Sequence, residues 1–173
     1  MGVKHVVREN DIYLTVCGMQ GIHVCFTTLA SPGCNLLLPR PGFSSYESAA
    51  DLASIEVRFY DLVPGRGWEP DLQQLRSLAD SATAWLVVIN PNNPRGAIYF
   101  GAHLQQIDET ARDLHIPVIA DEIYGHIVFG GSSFVPMASF AHLSPVNTIG
   151  SLSNRDRSNP SAPLPFQTSV FDG

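Results

Sequence analysis

The sequence predicts an α/β fold, a three-layer α/β/α sandwich built on a mostly parallel sheet. Short apolar runs typical of buried strands alternate along the chain with stretches whose apolar residues recur at helical spacing. The chain has 173 residues, which is long enough for a domain with a hydrophobic core. Hydrophobic residues make up 45% and charged residues 15%, a composition that argues against disorder.

The expected elements follow in a regular order along the chain. Strands are predicted at 12–15, 35–39, 55–62, 84–90, 116–121 and 145–150. Helices are predicted at 20–30, 45–53, 71–80 and 103–114. Apolar residues run almost without interruption through the strands at 35–39, 84–90 and 116–121, as in strands covered on both faces. The stretch at 55–62 instead alternates apolar and polar residues.

Composition and charge exclude several classes of protein. The net charge is −6 and no basic patch is present, so nucleic acid is not expected as a partner. No apolar run approaches the roughly 20 residues that cross a membrane. The first ten residues lack the apolar core of a secretory signal. Three cysteines, an odd number, are typical of reduced thiols, so we expect a cytoplasmic protein without a metal site.

Polar residues follow the predicted strands at the edge where parallel sheets bind ligands. Asn93 lies in a loop stiffened by prolines, where it is either a turn residue or a rigid hydrogen-bond donor to a ligand. Asp121 ends an apolar strand, where a carboxylate needs a cationic or donor partner. That partner is either a protonated ring nitrogen of a cofactor or a group of the protein itself, with Asp121 then a structural carboxylate or helix cap.

Three further positions complete a possible binding site. Cys17 and Gly18 stand where a strand passes into a helix, and backbone amides there can hold a phosphate, although glycine is ordinary at such junctions. Phe43 is either a ring that stacks on a planar ligand or a core aromatic. Together with Tyr124 and the carboxylate of Asp121, these residues suit a phosphorylated pyridine ring that acts as an electron sink.

Four stretches give the chain a family resemblance: NLLLPRPGFSSYE, VINPNNPRG, VIADEIYGHIVFG and TIGSLSNR. In order and spacing they resemble the blocks of class I/II, fold-type I aminotransferases, which depend on pyridoxal phosphate, and in particular the tyrosine and nicotianamine aminotransferase branch. The resemblance implies a partial cofactor-binding large domain at 11–155. Residues 1–10 are then a divergent N-terminal segment, and 156–173 a divergent tail expected to be disordered.

The resemblance also implies roles for the residues around the pyridine ring. Phe43 would stack on the ring, and Asp121 would pair with its protonated nitrogen. Asn93 and Tyr124 would both contact the oxygen of the 3-hydroxyl group. Such a site takes an amino acid and a 2-oxo acid as substrates.

At the phosphate the resemblance is less complete. Ser151 would bind the phosphate together with the backbone amides of Cys17 and Gly18. The family's Ser-Gly pair corresponds to Val16 and Cys17, so one hydroxyl contact is lost. Arg95 replaces a small residue of the family's loop.

The largest departure is at Asn154, where the family has the lysine that forms a Schiff base with the cofactor. That lysine holds the cofactor and moves a proton at the substrate's α-carbon, and asparagine has no basic amine for either task. A further phosphate-binding arginine falls on Ala162, and the family's C-terminal domain has no counterpart. We therefore expect pyridoxal phosphate binding to be weak or absent, and little or no transfer of amino groups from an aromatic amino acid such as tyrosine.

Two alternatives to an enzyme remain open. The chain could be a non-catalytic protein that binds pyridoxal phosphate, or that pairs as a homodimer or as a heterodimer with a full-length relative. It could also be a truncation product without function, since the resemblance stops abruptly at Asp156 and an altered reading frame would explain the change.

Overall fold

The computed structural model describes residues 8–29, 31–131 and 133–151. Four helices occur in these ranges: α1 (Gly18–Leu29), α2 (Ser45–Leu52), α3 (Leu72–Leu78) and α4 (Gly101–Leu114). The strands are β1 (Asn35–Arg40), β2 (Glu56–Val63), β3 (Glu69–Pro70), β4 (Thr83–Ile89), β5 (Val118–Asp121) and β6 (Val146–Ile149). No helix in this part of the chain is long and apolar enough to cross a bilayer.

The strands form one six-stranded sheet in the order β3-β2-β1-β4-β5-β6. Every neighbouring pair is parallel except β2 and β3, which are antiparallel. The predicted, mostly parallel sheet is therefore confirmed. Strands β2 and β3 lie on one side of β1, and strands β4, β5 and β6 lie on the other. This reversal creates the crevice at the carboxyl ends of β1 and β4 where ligand sites of open α/β sheets form.

Two hydrophobic clusters cover the two faces of the sheet. In β1, Leu36 and Leu38 belong to the cluster beneath α1 and α2, whereas Leu37 belongs to the cluster beneath α3 and α4. Side chains of β4 alternate in the same way: Trp85 faces the first cluster and Leu86 the second. This alternation follows from the two-residue period of a strand. The three-layer sandwich is thus confirmed, with a hydrophobic core on each side of the sheet.

The prediction of a strand at 12–15 was wrong. Leu14 forms an isolated bridge, and no ladder extends through the segment. The side chains of Ile12, Tyr13 and Leu14 are 40%, 60% and 76% exposed. An apolar run becomes a strand when a neighbouring strand completes its hydrogen bonds along its length, and the single bridge at Leu14 does not extend into such a ladder.

The other predicted strands and all four predicted helices are confirmed, with bounds that differ by a few residues. Strand β3 was missed because it has two residues, one of them Pro70, and so carries no readable alternation. It follows a turn in which Gly67 and Trp68 both have positive φ angles, 66° and 65°.

Candidate functional site

The carboxyl ends of the parallel strands meet at one edge of the sheet, where several predicted site residues lie. The register aligns Ile89 of β4 with Asp121 of β5, and Asp121 with Ile149 of β6. The backbone N–H of Asn90 donates to the carbonyl oxygen of Asp121 at 3.0 Å. Asp121 therefore lies between the loop that begins at Asn90 and the segment that leads from Ile149 to Ser151, which is itself buried.

The carboxylate of Asp121 is almost fully buried, with 4% of the residue exposed. Its Oδ2 accepts a hydrogen bond from the Tyr46 hydroxyl at 3.0 Å, and its Oδ1 accepts one from the Ile123 N–H at 3.3 Å. Burial raises the pKa of Asp121 to about 6, although these two donors pull it back toward its ordinary value. No arginine, lysine or histidine side chain within the described residues pairs with it. The site therefore holds a buried acid that a cationic partner would stabilise in its charged form.

Tyr46 is a site residue that sequence reasoning missed. It lies in the first turn of α2, is 1% exposed and bridges α2 to β5 through Asp121. Burial, and secondarily the nearby Asp121 carboxylate, raise the pKa of its hydroxyl well above the ordinary value, so the hydroxyl stays protonated and donates. The sequence does hold a weak signal, because Tyr46 follows Phe43 by about one helical turn.

Phe43 contacts both the core and the site edge. Its ring lies 6.4 Å from that of Tyr46, centroid to centroid, in an edge-on arrangement. It also packs, half-buried, against the cluster beneath α1 and α2. The turn that delivers Phe43 depends on Gly42, because a Cβ at this position would lie 2.4 Å from the carbonyl oxygen of Pro39.

We expect Gly42→Ala to lower the free energy of unfolding by about 1–3 kcal/mol, since the methyl group must displace a backbone carbonyl. Gly65→Ala is the matched control, because a Cβ there meets no atom within 4 Å. That substitution should leave stability unchanged or raise it by a few tenths of a kcal/mol, up to about 1. Urea denaturation of the two variants measures the difference. Equal losses in both would contradict a specific requirement for glycine at 42.

The loop between β4 and α4 is held by its own backbone and by Asn92. The N–H of Asn92 donates to Ala97 O at 2.8 Å, and the N–H of Gly96 donates to Asn92 O at 2.7 Å. The side-chain Oδ1 of Asn92 accepts from the N–H of Arg95 at 3.1 Å. These bonds enclose Asn93 within a stiff loop, as the sequence predicted.

Asn93 and Tyr124 line the same cavity, whose volume is about 420 Å³. Its wall combines two prolines and several aliphatic or aromatic side chains with a few polar groups. The lining residues are Pro91, Asn92, Asn93, Pro94, Gly96, Ile98, Tyr124, Ile127, Val128 and Phe129. The structure thus brings together two residues that are separated by a helix and a strand in the sequence.

The N-terminus of α1 lies against the same edge. A Cβ added to Gly18, the first residue of α1, would lie 3.2 Å from Cδ1 of Ile123, close to Asp121. The carbonyl oxygen of Cys17 accepts from the Gln20 N–H at 3.0 Å and from the Thr15 hydroxyl at 2.9 Å. The positive end of the α1 dipole, with Cys17 and Gly18, therefore lies against Ile123, two residues along the chain from the buried acid, and favours an anion there.

Some predicted positions fall outside the described residues. Asn154 and Ala162 are among them, as are the tail at 156–173 and most of the segment at 1–10. The proposed roles of these positions continue to rest on the sequence.

The family of this chain follows from its similarity to known proteins. Residues 2–155 match the family model described as aminotransferase class I and II, and the chain belongs to this family. It is 53% identical over 153 residues to nicotianamine aminotransferase 1 of Oryza sativa subsp. japonica, a match that covers 88% of this chain and 31% of that protein. It is 45% identical over 149 residues to tyrosine aminotransferase of Bos taurus, covering 86% and 33%.

A solved structure gives the same result for the fold. The crystal structure of tyrosine aminotransferase from Leishmania infantum superposes with a TM-score of 0.83 and 33% identity, covering 85% of this chain and 40% of that one. These matches confirm the resemblance found in the sequence and identify the sandwich as the large domain of fold-type I. The chain spans about a third of the length of the curated relatives it matches.

Proposed function

We propose that this chain is a pyridoxal phosphate-binding member of the aminotransferase family whose own catalytic activity is small or absent. Relatives with the complete site would move an amino group between an aromatic amino acid such as tyrosine and a 2-oxo acid. The observation that carries the proposal is the buried Asp121, which has no cationic partner among the described residues. Asn154 is the reason for expecting little activity.

The residues at the edge fit pyridoxal phosphate by their chemistry. A protonated pyridine nitrogen is a cation that would stabilise the charged form of Asp121, at the point where burial alone disfavours it. Among the residues that the structure describes, the side-chain Nδ2 atoms of Asn90 and Asn92 are also buried without hydrogen-bond partners. A buried donor without a partner needs an explanation, and a ligand in the cavity that Asn92 lines would supply the missing acceptor.

The ring would be held by Asp121 and Phe43, which do not line the cavity, and by Asn93 and Tyr124, which do. Asp121 would keep the nitrogen protonated, and the Tyr46 hydroxyl would keep the carboxylate oriented through its 3.0 Å hydrogen bond. Asn93 and Tyr124, which share the cavity wall, would hold the 3-hydroxyl oxygen. Phe43 would stack on the ring face. When bound, the cofactor supplies an electron sink for bonds to the substrate's α-carbon.

The phosphate would lie at the N-terminus of α1. The backbone amides of Cys17 and Gly18 begin this helix, and Ser151 follows β6 at the same edge. Backbone amides at the end of a 12-residue helix favour a dianion without needing a basic side chain. Because Val16 and Cys17 supply no hydroxyl group, we propose weaker phosphate binding than in relatives with a Ser-Gly pair.

Proton transfer is the step that this chain lacks. Catalysis requires a base that takes a proton from the substrate's α-carbon, and a lysine amine can do this whereas the amide of Asn154 cannot. The site would therefore bind and orient the cofactor but would not turn over an amino acid.

Titration of the purified chain with pyridoxal phosphate, followed by absorbance and equilibrium dialysis, tests the proposal. We expect saturable but weak binding, and binding of pyridoxal at least about tenfold weaker because the helix N-terminus no longer has an anion to hold. No turnover of tyrosine with a 2-oxo acid is expected. Absence of saturable binding would refute the proposed cofactor site, and measurable turnover would refute the proposed inactivity.

A further inference from the structure

Arg95 stacks on Trp68 and so joins two segments that are distant in the sequence. The guanidinium carbon of Arg95 lies 4.2 Å from the centroid of the Trp68 ring. This is well inside the about 6 Å range of a cation–π contact. Arg95 belongs to the loop between β4 and α4 that carries Asn93, whereas Trp68 lies in the turn between β2 and β3. The contact therefore ties the loop to a neighbouring hairpin.

The position of Trp68 is fixed by core packing and by a backbone hydrogen bond. Its ring is partly buried and packs against the cluster beneath α3 and α4. Its backbone N–H donates to Val63 O at 3.0 Å, which closes the turn between β2 and β3. A side chain held by the core on one side can fix an exposed partner such as Arg95 on the other.

Arg95 is the loop residue that makes the contact with Trp68. Its neighbours Pro94 and Gly96 line the cavity, whereas its own side chain reaches Trp68. The hydrogen bonds between Asn92, Arg95, Gly96 and Ala97 fix the internal shape of the loop. Because Arg95 and Gly96 are exposed, a loop that is not held against the β2–β3 turn would open these hydrogen bonds to water more often.

We propose that the Arg95–Trp68 stack is a positioning contact that holds the loop, and with it Asn93, in place at the cavity wall. The part of the proposal that concerns the cofactor rests on the proposed function. The part that concerns the loop stands on the contact alone, and it can be measured without any cofactor.

Amide hydrogen exchange of the cofactor-free 173-residue chain is the first measurement. We expect Arg95→Ala to speed exchange at the Asn92 and Gly96 amides about two- to fivefold, the range that a partly exposed cation–π contact supplies. Exchange within β4 should not change. Arg95→Lys keeps a cation and should retain much of the protection. Arg66→Ala, which removes an exposed arginine from the same turn as Trp68, is the matched control and should change nothing.

Equilibrium dialysis with pyridoxal phosphate is the second measurement. We expect the dissociation constant of Arg95→Ala to rise about two- to fivefold without a matching loss of overall stability, and Arg95→Lys to restore part of it. Unchanged exchange in Arg95→Ala would overturn the proposal. Faster exchange with an unchanged dissociation constant would overturn the positioning role. If the wild-type chain bound no cofactor, the proposed function would fail, yet faster loop exchange would still support the contact as what holds the loop.

Discussion

Asp121→Asn is expected to stabilise the cofactor-free chain at neutral pH and to weaken cofactor binding at the same time. Burial raises the pKa of the Asp121 carboxyl to about 6, against 3.8 for the same group in water. The folded state therefore binds the proton more tightly than the unfolded state does. The Asp121 carboxyl therefore contributes a fall in the free energy of unfolding of about 3 kcal/mol as the pH rises from about 4 to about 6, and no further change above that range.

The asparagine variant should lack the part of the pH-dependent loss that Asp121 causes, whereas the part due to Asp108, whose pKa burial also raises to about 6, should remain. The Tyr46 hydroxyl can accept from the new amide, and the remaining carbonyl oxygen can still accept from the Ile123 N–H, so the local hydrogen bonds survive in altered form. We expect a gain of about 1–3 kcal/mol at pH 7.5 and a much smaller gain at pH 4. Urea denaturation across this pH range measures it.

Cofactor affinity should change in the opposite direction. Loss of one partner of a buried charge pair costs about 2 kcal/mol or more, which corresponds to about thirtyfold weaker binding of pyridoxal phosphate. A variant that gains stability and loses affinity together would show that Asp121 is retained for binding. An unchanged affinity would contradict its proposed pairing with the ring nitrogen.

Asp80→Asn is a useful control because the pKa of Asp80 is shifted in the opposite direction from that of Asp121. Hydrogen bonds from Arg58 and Asn35 lower the pKa of the exposed Asp80 to about 2. Its charged form therefore adds stability above the ordinary pKa, which is lost as the pH falls toward 2. This variant should be less stable than the wild type at neutral pH, whereas Asp121→Asn should be more stable.

Much of the fold could be predicted because strands that are buried on both faces consist almost entirely of apolar residues. The runs that became β1, β4 and β5 are apolar almost throughout, and the stretches between them have helical spacing. The segment at 12–15 shows the limit of this reasoning. Its composition suits a strand, but strand formation depends on a neighbour, which local sequence does not report.

The candidate site, like the fold, could be predicted from the sequence only in part. Asp121 could be singled out because a carboxylate at the end of an apolar strand is unusual in itself. Its link to Tyr46 could not, because that hydrogen bond joins α2 to β5, which are far apart in the sequence, and no periodicity relates the two positions. The stack of Arg95 on Trp68 is likewise a contact between distant segments. Sequence reasoning identified single residues with unusual chemistry, whereas the contacts between residues, such as Tyr46 with Asp121 and Arg95 with Trp68, are visible only in the folded structure.

Asn154→Lys is expected to convert non-covalent cofactor binding into covalent attachment. A lysine amine condenses with the aldehyde of pyridoxal phosphate, and borohydride reduction makes the bond permanent, whereas an asparagine amide does not react in this way. After reduction, the variant should carry one phosphopyridoxyl group on the peptide that contains residue 154. The wild-type chain treated in parallel should carry none at that position, as mass spectrometry of the digested protein can establish.

Lysines at two other positions, 4 and 159, serve as controls for non-specific labelling by pyridoxal phosphate. Lys4 is the one lysine of the natural chain and is present in every variant, so its labelling reports the background. Asn159→Lys adds an amine to the same part of the chain and should label no more than Lys4. Labelling at 154 that exceeds both, and that falls when Asp121→Asn is combined with Asn154→Lys, would join the lysine position to the buried acid in one site. Equal labelling at all three lysines would mean that Asn154 does not mark a cofactor site, and the expected inactivity of the chain would then need another cause.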